Sequence, residues 1–234
     1  MLKLYQFPHS KHLPSHSHYC TKLELYLKIA QIPYENIYTL NFSKNPKKQM
    51  PYVELDGEII GDSSFIIERL VSKYGDKVDH WLTAEQKAVA VTLQRLLENH
   101  LALIMMYFRW TYPQGWQQFK QILFGKAPWF VKFFIADRLA KKVTKRLGQE
   151  QAIRHFSVDE LLARAKVDLD ALSAYLGNKS FVFGDRLCSV DCLLFAVYSA
   201  ITMVNFDSPL KVIAVKYSNL TQHSDKILQQ YYSN

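Results

Sequence analysis

The chain lacks the cysteines that a disulfide framework requires. Its 234 residues contain three cysteines, at positions 20, 188 and 192. Disulfide-dependent domains are usually short and secreted, and they carry a larger, even number of cysteines. A small, odd number in a chain of this length therefore favours reduced cysteines and a reducing compartment.

Targeting and membrane-spanning segments are also missing. Residues 1–20 have no basic start followed by an apolar block, which excludes a typical signal peptide. The apolar run LALIMMYF at 101–108 is far shorter than the roughly 18 to 20 residues needed to cross a bilayer, and Arg109 ends it. No internal repeat or low-complexity tract interrupts the chain. We therefore expect a soluble, cytoplasmic protein.

Apolar residues, in contrast, are abundant enough for a sizeable core. Hydrophobic residues make up 49% of the chain and aromatic residues 14%, which excludes a disordered or fibrous protein. The length suits one large domain or two small ones.

The net charge is +8 at pH 7. The densest basic stretch, LAKKVTKR at 139–146, has the spacing of a solvated helix face, so we do not expect nucleic-acid binding. A basic surface also suits small anionic ligands or an anionic membrane surface. We do not favour membrane contact.

The first 75 residues carry the patterns of both strands and helices. Alternation and turn residues predict strands, and apolar residues at helical spacing predict helices. In chain order these are strand 2–7, a helix around Leu23–Ala30, strand 34–40, a hairpin at 52–60 with an Asp56-Gly57 turn, and helix 63–74. We expect a small sheet with helices packed against it.

After residue 75 only helical patterns follow. Two capping boxes open long helices, because their side chains satisfy the first free backbone N–H groups. They are Thr83 with Gln86, whose helix is predicted to reach about Met106, and Ser157 with Glu160, whose helix is predicted to end at Gly177. Further helices are predicted at 114–124, 129–147, 189–203 and 220–231. The sequence therefore predicts an α/β unit at 1–75, a linker at 76–81 and an all-helical unit at 82–234.

Three stretches together resemble the glutathione transferase superfamily. NPKKQMPYVELDGEIIGDSSFIIERL at 45–70 is similar to its segment from an Asn-Pro, through a residue-Pro pair, to an acidic-Ser pair. FGDRLCSVDCLLF at 183–195 is similar to its Gly-Asp capping segment, and NLTQHSDKI at 219–227 is similar to its last helix. LYQFP, YCTKLELYLKIAQIPYE and the stretch at 148–186 further resemble the branch of failed-axon-connections and metaxin-like proteins.

This resemblance implies a thioredoxin-like α/β domain followed by an all-α domain. It also implies glutathione as a co-substrate, a hydrophobic electrophile as second substrate, no prosthetic group and a homodimer. The branch includes members with no established catalysis. A non-catalytic interaction module on the same fold therefore stays open as the alternative function.

Pro51 follows Met50 at the start of a predicted strand, where a proline cannot donate to the sheet ladder. The resemblance implies a cis Met50-Pro51 bond that turns the Met50 backbone toward a peptide-like ligand. A trans proline on an edge strand is the less favoured alternative. Just before this pair lie Lys44, Lys47, Lys48 and Gln49, and one of them is a candidate to reach the far carboxylate of glutathione. A lysine run is also typical of a solvated loop.

Asp62 and Ser63 precede an apolar helix. Free N–H groups at a helix start attract a carboxylate. Ser63 adds a hydroxyl donor and Asp62 a partner for an ammonium group, so together they suit the γ-glutamyl end of glutathione. The alternative is that Asp62 only caps the helix. The proline at position 51 and the resemblance favour the ligand site.

Ser17 precedes the helix predicted around Leu23–Ala30. As a cap it would satisfy the backbone N–H near Cys20, and as a functional residue it would donate a hydrogen bond to a bound thiolate. The resemblance places the Cys-x-x-Cys position of thioredoxin-like proteins at Ser17–Cys20. We therefore predict a serine-type catalytic site with Cys20 packed rather than reactive. Tyr5 is the alternative hydroxyl, although its alternating strand favours a core or interface role.

Four of the eight histidines lie within ten residues, at positions 9, 12, 16 and 18. With Cys20 they are candidate ligands for Zn²⁺ or Ni²⁺. Their spacing matches no structural zinc pattern, so we predict exposed loop histidines and no metal site.

The resemblance implies that the helical domain lines the second-substrate pocket. The aromatic stretch at 105–116 offers Tyr107, Arg109 and Trp110 as candidates, although such a stripe is more often part of a core. The segment at 127–143, apolar at one end and basic at the other, is expected to pack inside rather than bind a partner or a membrane.

The Gly184-Asp185 segment is predicted to be structural. Cys188 stands where the family usually has Ser or Thr, and it is a poor helix cap. Ser189 is therefore the candidate cap, with a helix boundary shifted by one residue.

Overall fold

The computed structural model describes residues 1–9, 15–41, 43–45, 47–125, 128, 134–149, 153–205 and 207–233. Within these ranges the strands all end by Gly61, and the elements beyond residue 75 are helices. The predicted order of an α/β unit followed by a helical unit is therefore the observed order. The boundaries at 75 and 82 stay a prediction.

The sheet has four strands in the order β2-β1-β3-β4. They are β1 (Leu2–Gln6), β2 (Tyr34–Tyr38), β3 (Tyr52–Leu55) and β4 (Glu58–Gly61). β1 and β2 run parallel, which requires a crossover, and α1 (His18–Ile29) supplies it. β3 and β4 form the predicted hairpin, in which Asp56 and Gly57 have φ values of 54° and 83°. Two positive φ values match a primed turn.

Nine further α-helices follow in the described part of the chain. They are α2 (Ser63–Tyr74), α3 (Ala84–Leu96), α4 (Ala102–Trp110), α5 (Pro113–Phe124), α6 (Ala136–Gln149), α7 (Val158–Leu176), α8 (Ser189–Thr202), α9 (Pro209–Ala214) and α10 (Ser218–Tyr232). A π-helical turn (Leu97–Leu101) joins α3 to α4, and a 3-10 turn (Ile153–His155) precedes α7. The first part of the helix predicted at 129–147, residues 129–133, lies outside the described residues.

Both predicted capping boxes are present, and they set the starts of α3 and α7. Helix α7 ends before Gly177, whose φ is 55°, as the glycine predicted. The helix that Thr83 opens is longer than predicted and is divided by the π turn. Such turns often occur at functional sites, and this one carries a buried glutamate described below.

The cap of α8 differs from the expectation. Cys188, not Ser189, is the N-cap residue, and the Asp191 carboxylate accepts hydrogen bonds from the Cys188 backbone N at 2.9 Å and from its Sγ at 3.0 Å. Ser189 is the first helical residue, and it donates from its hydroxyl and its backbone N to Asp79. The shifted boundary was wrong because Asp191 supplies the cap that the cysteine lacks.

Two hydrophobic clusters form most of the core. One lies among the helices from α3 onward, and the other lies beneath the sheet and α1. The second cluster also contains Cys192 and Phe195 of α8 and Ile227 of α10, and α1 packs along α8. The helical part therefore completes the core under the sheet.

In the ranges that the structure describes, every helix is too short or too polar to cross a membrane.

Candidate functional site

Ser17 is the N-cap of α1. Its side-chain oxygen accepts a hydrogen bond from the Cys20 backbone N at 3.4 Å, and its backbone N donates to the Ser15 hydroxyl at 3.2 Å. The residue is half-buried. The capping role considered for Ser17 is therefore present, with a long and weak hydrogen bond.

Capping does not exclude a role toward a ligand. A serine hydroxyl has one donor hydrogen and two acceptor lone pairs, and the cap uses only an acceptor position. The cap therefore does not use the hydroxyl hydrogen of Ser17. Cys20 is fully buried, and burial raises the pKa of its thiol to about 11, so it is a packed residue as predicted.

The Met50-Pro51 peptide bond is cis, as the resemblance implied. Met50 is buried and packs in a small cluster with Cys20 and Tyr52, which connects this segment to the start of α1. The backbone N–H and C=O of Met50 make no hydrogen bond to another described residue. An unpaired peptide group beside a strand suits an extended peptide ligand.

Asp62 is the N-cap of α2 and accepts hydrogen bonds from Ser64 N at 2.9 Å and Phe65 N at 3.4 Å. Its φ of 80° is strained for a residue other than glycine, and such strain often occurs at binding sites. Ser63 is buried, and its hydroxyl makes no hydrogen bond to any described residue. Strand pairing of Tyr52 with Gly61 brings the cis-proline and this helix start side by side.

The two residues before Met50, Lys48 and Gln49, make different contacts. The Gln49 side-chain N lies 3.5 Å from the second carboxylate oxygen of Asp62, so Gln49 borders the same site. Lys48 has a φ of 53°, and its ammonium group donates to the Ser43 carbonyl at 2.6 Å on the protein surface. Lys48 therefore needs a new rotamer to reach a ligand.

Asn45 is a positioning residue to which the sequence analysis assigned no role. It is fully buried, and its side chain donates to the Gln49 carbonyl at 2.6 Å and accepts from Lys47 N at 2.9 Å. A Cβ at position 61 would lie 2.1 Å from Asn45 Oδ1, so only glycine fits there. The Asn-Pro at 45–46 within the family motif was the available signal.

A buried polar network connects the two parts of the chain behind Ser63. The Lys22 ammonium group of α1 lies 2.8 Å from Glu98 Oε1 of the π turn and 3.2 Å from Ser64 Oγ of α2. Gln94 donates to the same Ser64 oxygen and to Glu98. The sequence pattern gave no signal for this network, because Lys22 and Glu98 look like ordinary surface residues of amphipathic helices.

The three candidates for the second-substrate pocket lie at different depths. Arg109 is 2% exposed and donates from Nη1 to the His16 carbonyl at 2.8 Å, which places it next to Ser17. Trp110 stacks on Trp116 at 5.3 Å between ring centroids. Tyr107 is half-buried against the helical core. Of the three, Arg109 has a direct contact with the α1 start.

The histidine prediction was partly wrong. His18 is buried rather than exposed, because it opens α1 beneath the helical part. His9 is exposed and lies 3.0 Å from the Tyr38 hydroxyl and 3.3 Å from Glu24, while His12 lies outside the described residues. No group of three metal-binding side chains occurs among the residues that the structure describes.

Tyr5, the alternative hydroxyl, donates to Glu54 at 3.1 Å and stacks on Tyr52 at 4.4 Å between ring centroids. These contacts hold its hydroxyl on the sheet.

The four-stranded sheet, the cis-proline and the helical half together define a thioredoxin-like domain joined to an all-helical domain. Comparisons agree with this class. The family model of the glutathione S-transferase N-terminal domain matches residues 18–115, and that of the glutathione S-transferase C-terminal domain matches residues 165–227.

Among curated relatives, Failed axon connections of Drosophila melanogaster is 36% identical over 97% of this chain, and the chain spans 57% of that protein's length. Isoprene-epoxide glutathione S-transferase of Rhodococcus sp. (strain AD45) is 30% identical over 99% of both chains. The mitochondrial outer membrane import complex protein METAXIN of Arabidopsis thaliana is 24% identical over 94% of this chain and 69% of its own length. The chain belongs to the glutathione S-transferase family, in the branch that includes the failed-axon-connections and metaxin proteins.

Solved structures show the same fold at low identity. The beta-etherase LigF of Sphingobium sp. strain SYK-6 superimposes with a TM-score of 0.68 at 18% identity, over 97% of this chain and 94% of that one. A glutathione S-transferase of Methylobacterium radiotolerans, solved with glutathione sulfonate, gives a TM-score of 0.61 at 16% identity, over 97% of this chain and 90% of that one. The predicted fold class is thus confirmed.

Proposed function

We propose that this protein binds glutathione and transfers its thiolate to an electrophilic carbon. The observation that carries the proposal is a set of polar groups, at the starts of α1 and α2 and at the cis-proline, that no hydrogen bond between described residues uses. These groups are the Ser17 hydroxyl hydrogen, the Met50 peptide group and the Ser63 hydroxyl. Family membership gives these groups a tripeptide ligand of matching chemistry.

Each group has one proposed task. The Met50 backbone pairs with the peptide as a short extra strand. Ser63 and the α2 N-terminus hold the γ-glutamyl carboxylate, and Asp62 pairs with its ammonium group. Gln49 borders the same end, and Lys48 is the candidate for the far carboxylate. Glutathione acts as a co-substrate, and no prosthetic group is required.

Ser17 is the proposed catalytic residue. A free thiol has a pKa of about 8.5, so only a few per cent is ionised at pH 7. Lowering that pKa by about two units requires roughly 2.7 kcal/mol. A hydrogen bond from a hydroxyl to an anion, together with a helix N-terminus, is of that size. The thiolate then forms a C–S bond with the electrophilic carbon, and the bond from that carbon to the leaving group breaks.

The second substrate is proposed to be a hydrophobic electrophile. Trp110 of α4 packs edge-on against Phe119, whose ring contacts His16 beside Ser17, and Tyr107 is the other aromatic candidate on α4. The isoprene-epoxide transferase among the relatives makes epoxides the first class to assay. Ring opening of an epoxide gives an alkoxide, which takes a proton and leaves a hydroxy thioether.

The test is calorimetry of glutathione binding by the wild type and by three variants. Asp62→Asn keeps the helix cap and tolerates the positive φ while removing the charge. Ser63→Ala removes a hydroxyl that makes no contact with a described residue, so neither change should unfold α2. We expect weaker binding for both, and for Ser17→Ala a raised thiol pKa with binding largely kept. No binding by the wild type at millimolar glutathione contradicts the proposal.

The second candidate is a non-catalytic interaction module. Failed axon connections and the metaxin proteins favour it, since they match most of this chain. A protein of this kind need not keep a glutathione site. The same calorimetry separates the two, because a module without the site shows no saturable binding.

We further propose a cytoplasmic homodimer. Phe65 of α2 and Val91 of α3 are each more than half exposed, and we propose that the partner subunit covers these two apolar side chains. Sedimentation of the wild type and of Phe65→Glu tests the dimer. A wild type that sediments as a monomer rejects it.

A further inference from the structure

Arg109 is a buried cation. Its side chain is 2% exposed, and its two terminal nitrogens donate to the carbonyls of His16 and Ala200. Its Nε is buried and has no hydrogen-bond partner in the ranges that the structure describes. Burial lowers the pKa of Arg109 to about 9, so the guanidinium is still charged at neutral pH.

Within the part of the chain that the structure describes, no carboxylate forms a salt bridge with this charge. Arg109 instead contacts two neutral carbonyls and the face of the Phe119 ring, 5.1 Å from its centroid. The other buried cation nearby, Lys22, is paired with Glu98 at 2.8 Å. A buried charge without a partner is unusual, since desolvation costs several kcal/mol per ion. Water can satisfy the free N–H, but it does not neutralise the charge.

The titratable groups nearest to Arg109 add no negative charge. Glu24, one turn further along α1, is buried, and its carboxylate already contacts the side chains of Gln6, His9 and Lys28. Burial, and secondly the charge of Arg109, lower the pKa of His16 to about 4 and that of His18 to about 3, so both rings are neutral at pH 7. His18 is 4% exposed, and neither its Nε2 nor Nδ1 of His16 has a hydrogen-bond partner among the described residues. The thiol of Cys20 stays protonated. The start of α1, a helix of 12 residues, thus faces several unpartnered polar atoms and one free positive charge.

We propose that Arg109 supplies the counter-charge for the anionic sulfur of a thiol ligand bound at the N-terminus of α1. The inference rests on the proposed function, and it moves Arg109 from the second-substrate pocket to the thiolate. Arg109 acts in two ways. Its hydrogen bond to the His16 carbonyl fixes the backbone of the residue before Ser17, and its charge favours the ionised form of the ligand's thiol. It is a positioning residue, because Ser17 makes the direct hydrogen bond.

The test compares Arg109→Gln, which removes the charge, with Arg109→Lys, which keeps it without the guanidinium fork. Arg164→Gln is the matched control, because it makes the same chemical change at an exposed position on α7. Thiolate absorbance against pH gives the pKa of bound glutathione in each protein. We expect that pKa to rise by at least about one unit in Arg109→Gln, by less in Arg109→Lys, and not at all in Arg164→Gln.

S-methylglutathione distinguishes an effect of the Arg109 charge on the thiolate from an effect on the structure of the site, since this ligand lacks the ionisable thiol. We expect its affinity to change much less than that of glutathione in Arg109→Gln. If Arg109 has only a structural role, Arg109→Gln instead weakens the binding of both ligands equally and leaves the thiol pKa of bound glutathione unchanged. That result overturns the inference about Arg109 but not the proposed function.

One measurement on the wild type needs no folded variant. Calorimetry at pH 7 in buffers of different ionisation enthalpy should show proton release with glutathione and none with S-methylglutathione. Equal proton release with both ligands overturns the inference. Absence of binding by either ligand rejects the proposed function, and the inference falls with it.

Discussion

Removing one member of the buried ion pair between Lys22 and Glu98 should destabilise the chain, whereas removing both should largely restore its stability. The two side chains are 4% and 8% exposed, and their charged atoms lie 2.8 Å apart. Lys22→Met leaves a buried carboxylate with Gln94 as its remaining donor. Breaking such a pair typically costs about 3–5 kcal/mol, a large share of the stability of an ordinary protein.

The double variant Lys22→Met/Glu98→Met places apolar side chains on both sides. We expect its free energy of unfolding to lie within about 2 kcal/mol of the wild type, because no unpaired charge remains buried. Urea unfolding followed by circular dichroism measures all three proteins.

Lys166→Met is the matched control. Lys166 and Asp170 also lie 2.7 Å apart, but their side chains are 60% and 51% exposed, so solvent screens the pair and we expect no resolved shift. A loss in Lys22→Met no larger than that in Lys166→Met would refute the burial argument. A double variant less stable than the single variant would refute the argument about the unpaired charge.

Three further predictions follow from single contacts. Gly61→Ala should weaken glutathione binding in calorimetry, because the added methyl collides with the side chain of Asn45. In an Asn45→Ala background that side chain is gone, so the same Gly61→Ala change should reduce the affinity for glutathione by less. Asp191→Ala should lower the free energy of unfolding in urea by at least about 3 kcal/mol, since buried N–H donors of Val182, Cys188 and His223 lose their acceptor; an effect below about 1 kcal/mol would contradict this. Because the folded pKa of His18 is depressed to about 3, the unfolded chain takes up a proton below about pH 6.5 that the folded chain does not, and stability falls as pH decreases from there toward about 3. His18→Phe should reduce the slope of unfolding free energy with pH by up to about 1.4 kcal/mol per unit in that window, and an unchanged slope would show that His18 is not held neutral.

Much of the candidate site could be predicted from the sequence, because its parts are local motifs. The proline at 51 and the Asp-Ser pair at 62–63 are recognisable from their neighbours, and the structure places them side by side through the hairpin. The family motif also contained Asn45, although its hydrogen bond to the Gln49 carbonyl was not foreseen.

The two roles predicted for Ser17, as a helix cap and as a donor to a thiolate, are compatible. The residue caps α1 through a lone pair of its oxygen, and the role proposed toward a thiolate uses its hydrogen instead. The sequence presented the roles as alternatives, since a cap motif does not show which part of the hydroxyl is used.

The sequence by itself determined the order of the strands and of most helices, two capping boxes and the hairpin turn. The capping boxes at Thr83 and Ser157 and the Asp56-Gly57 turn close within four residues, so neighbouring positions contain all the information they need. Only the tertiary structure decided which charges are buried and whether they are paired. Lys22 meets Glu98 across 76 positions, and Arg109 meets His16 across 93. Burial and charge pairing depend on which distant segments come together, and that is settled by packing of the whole chain.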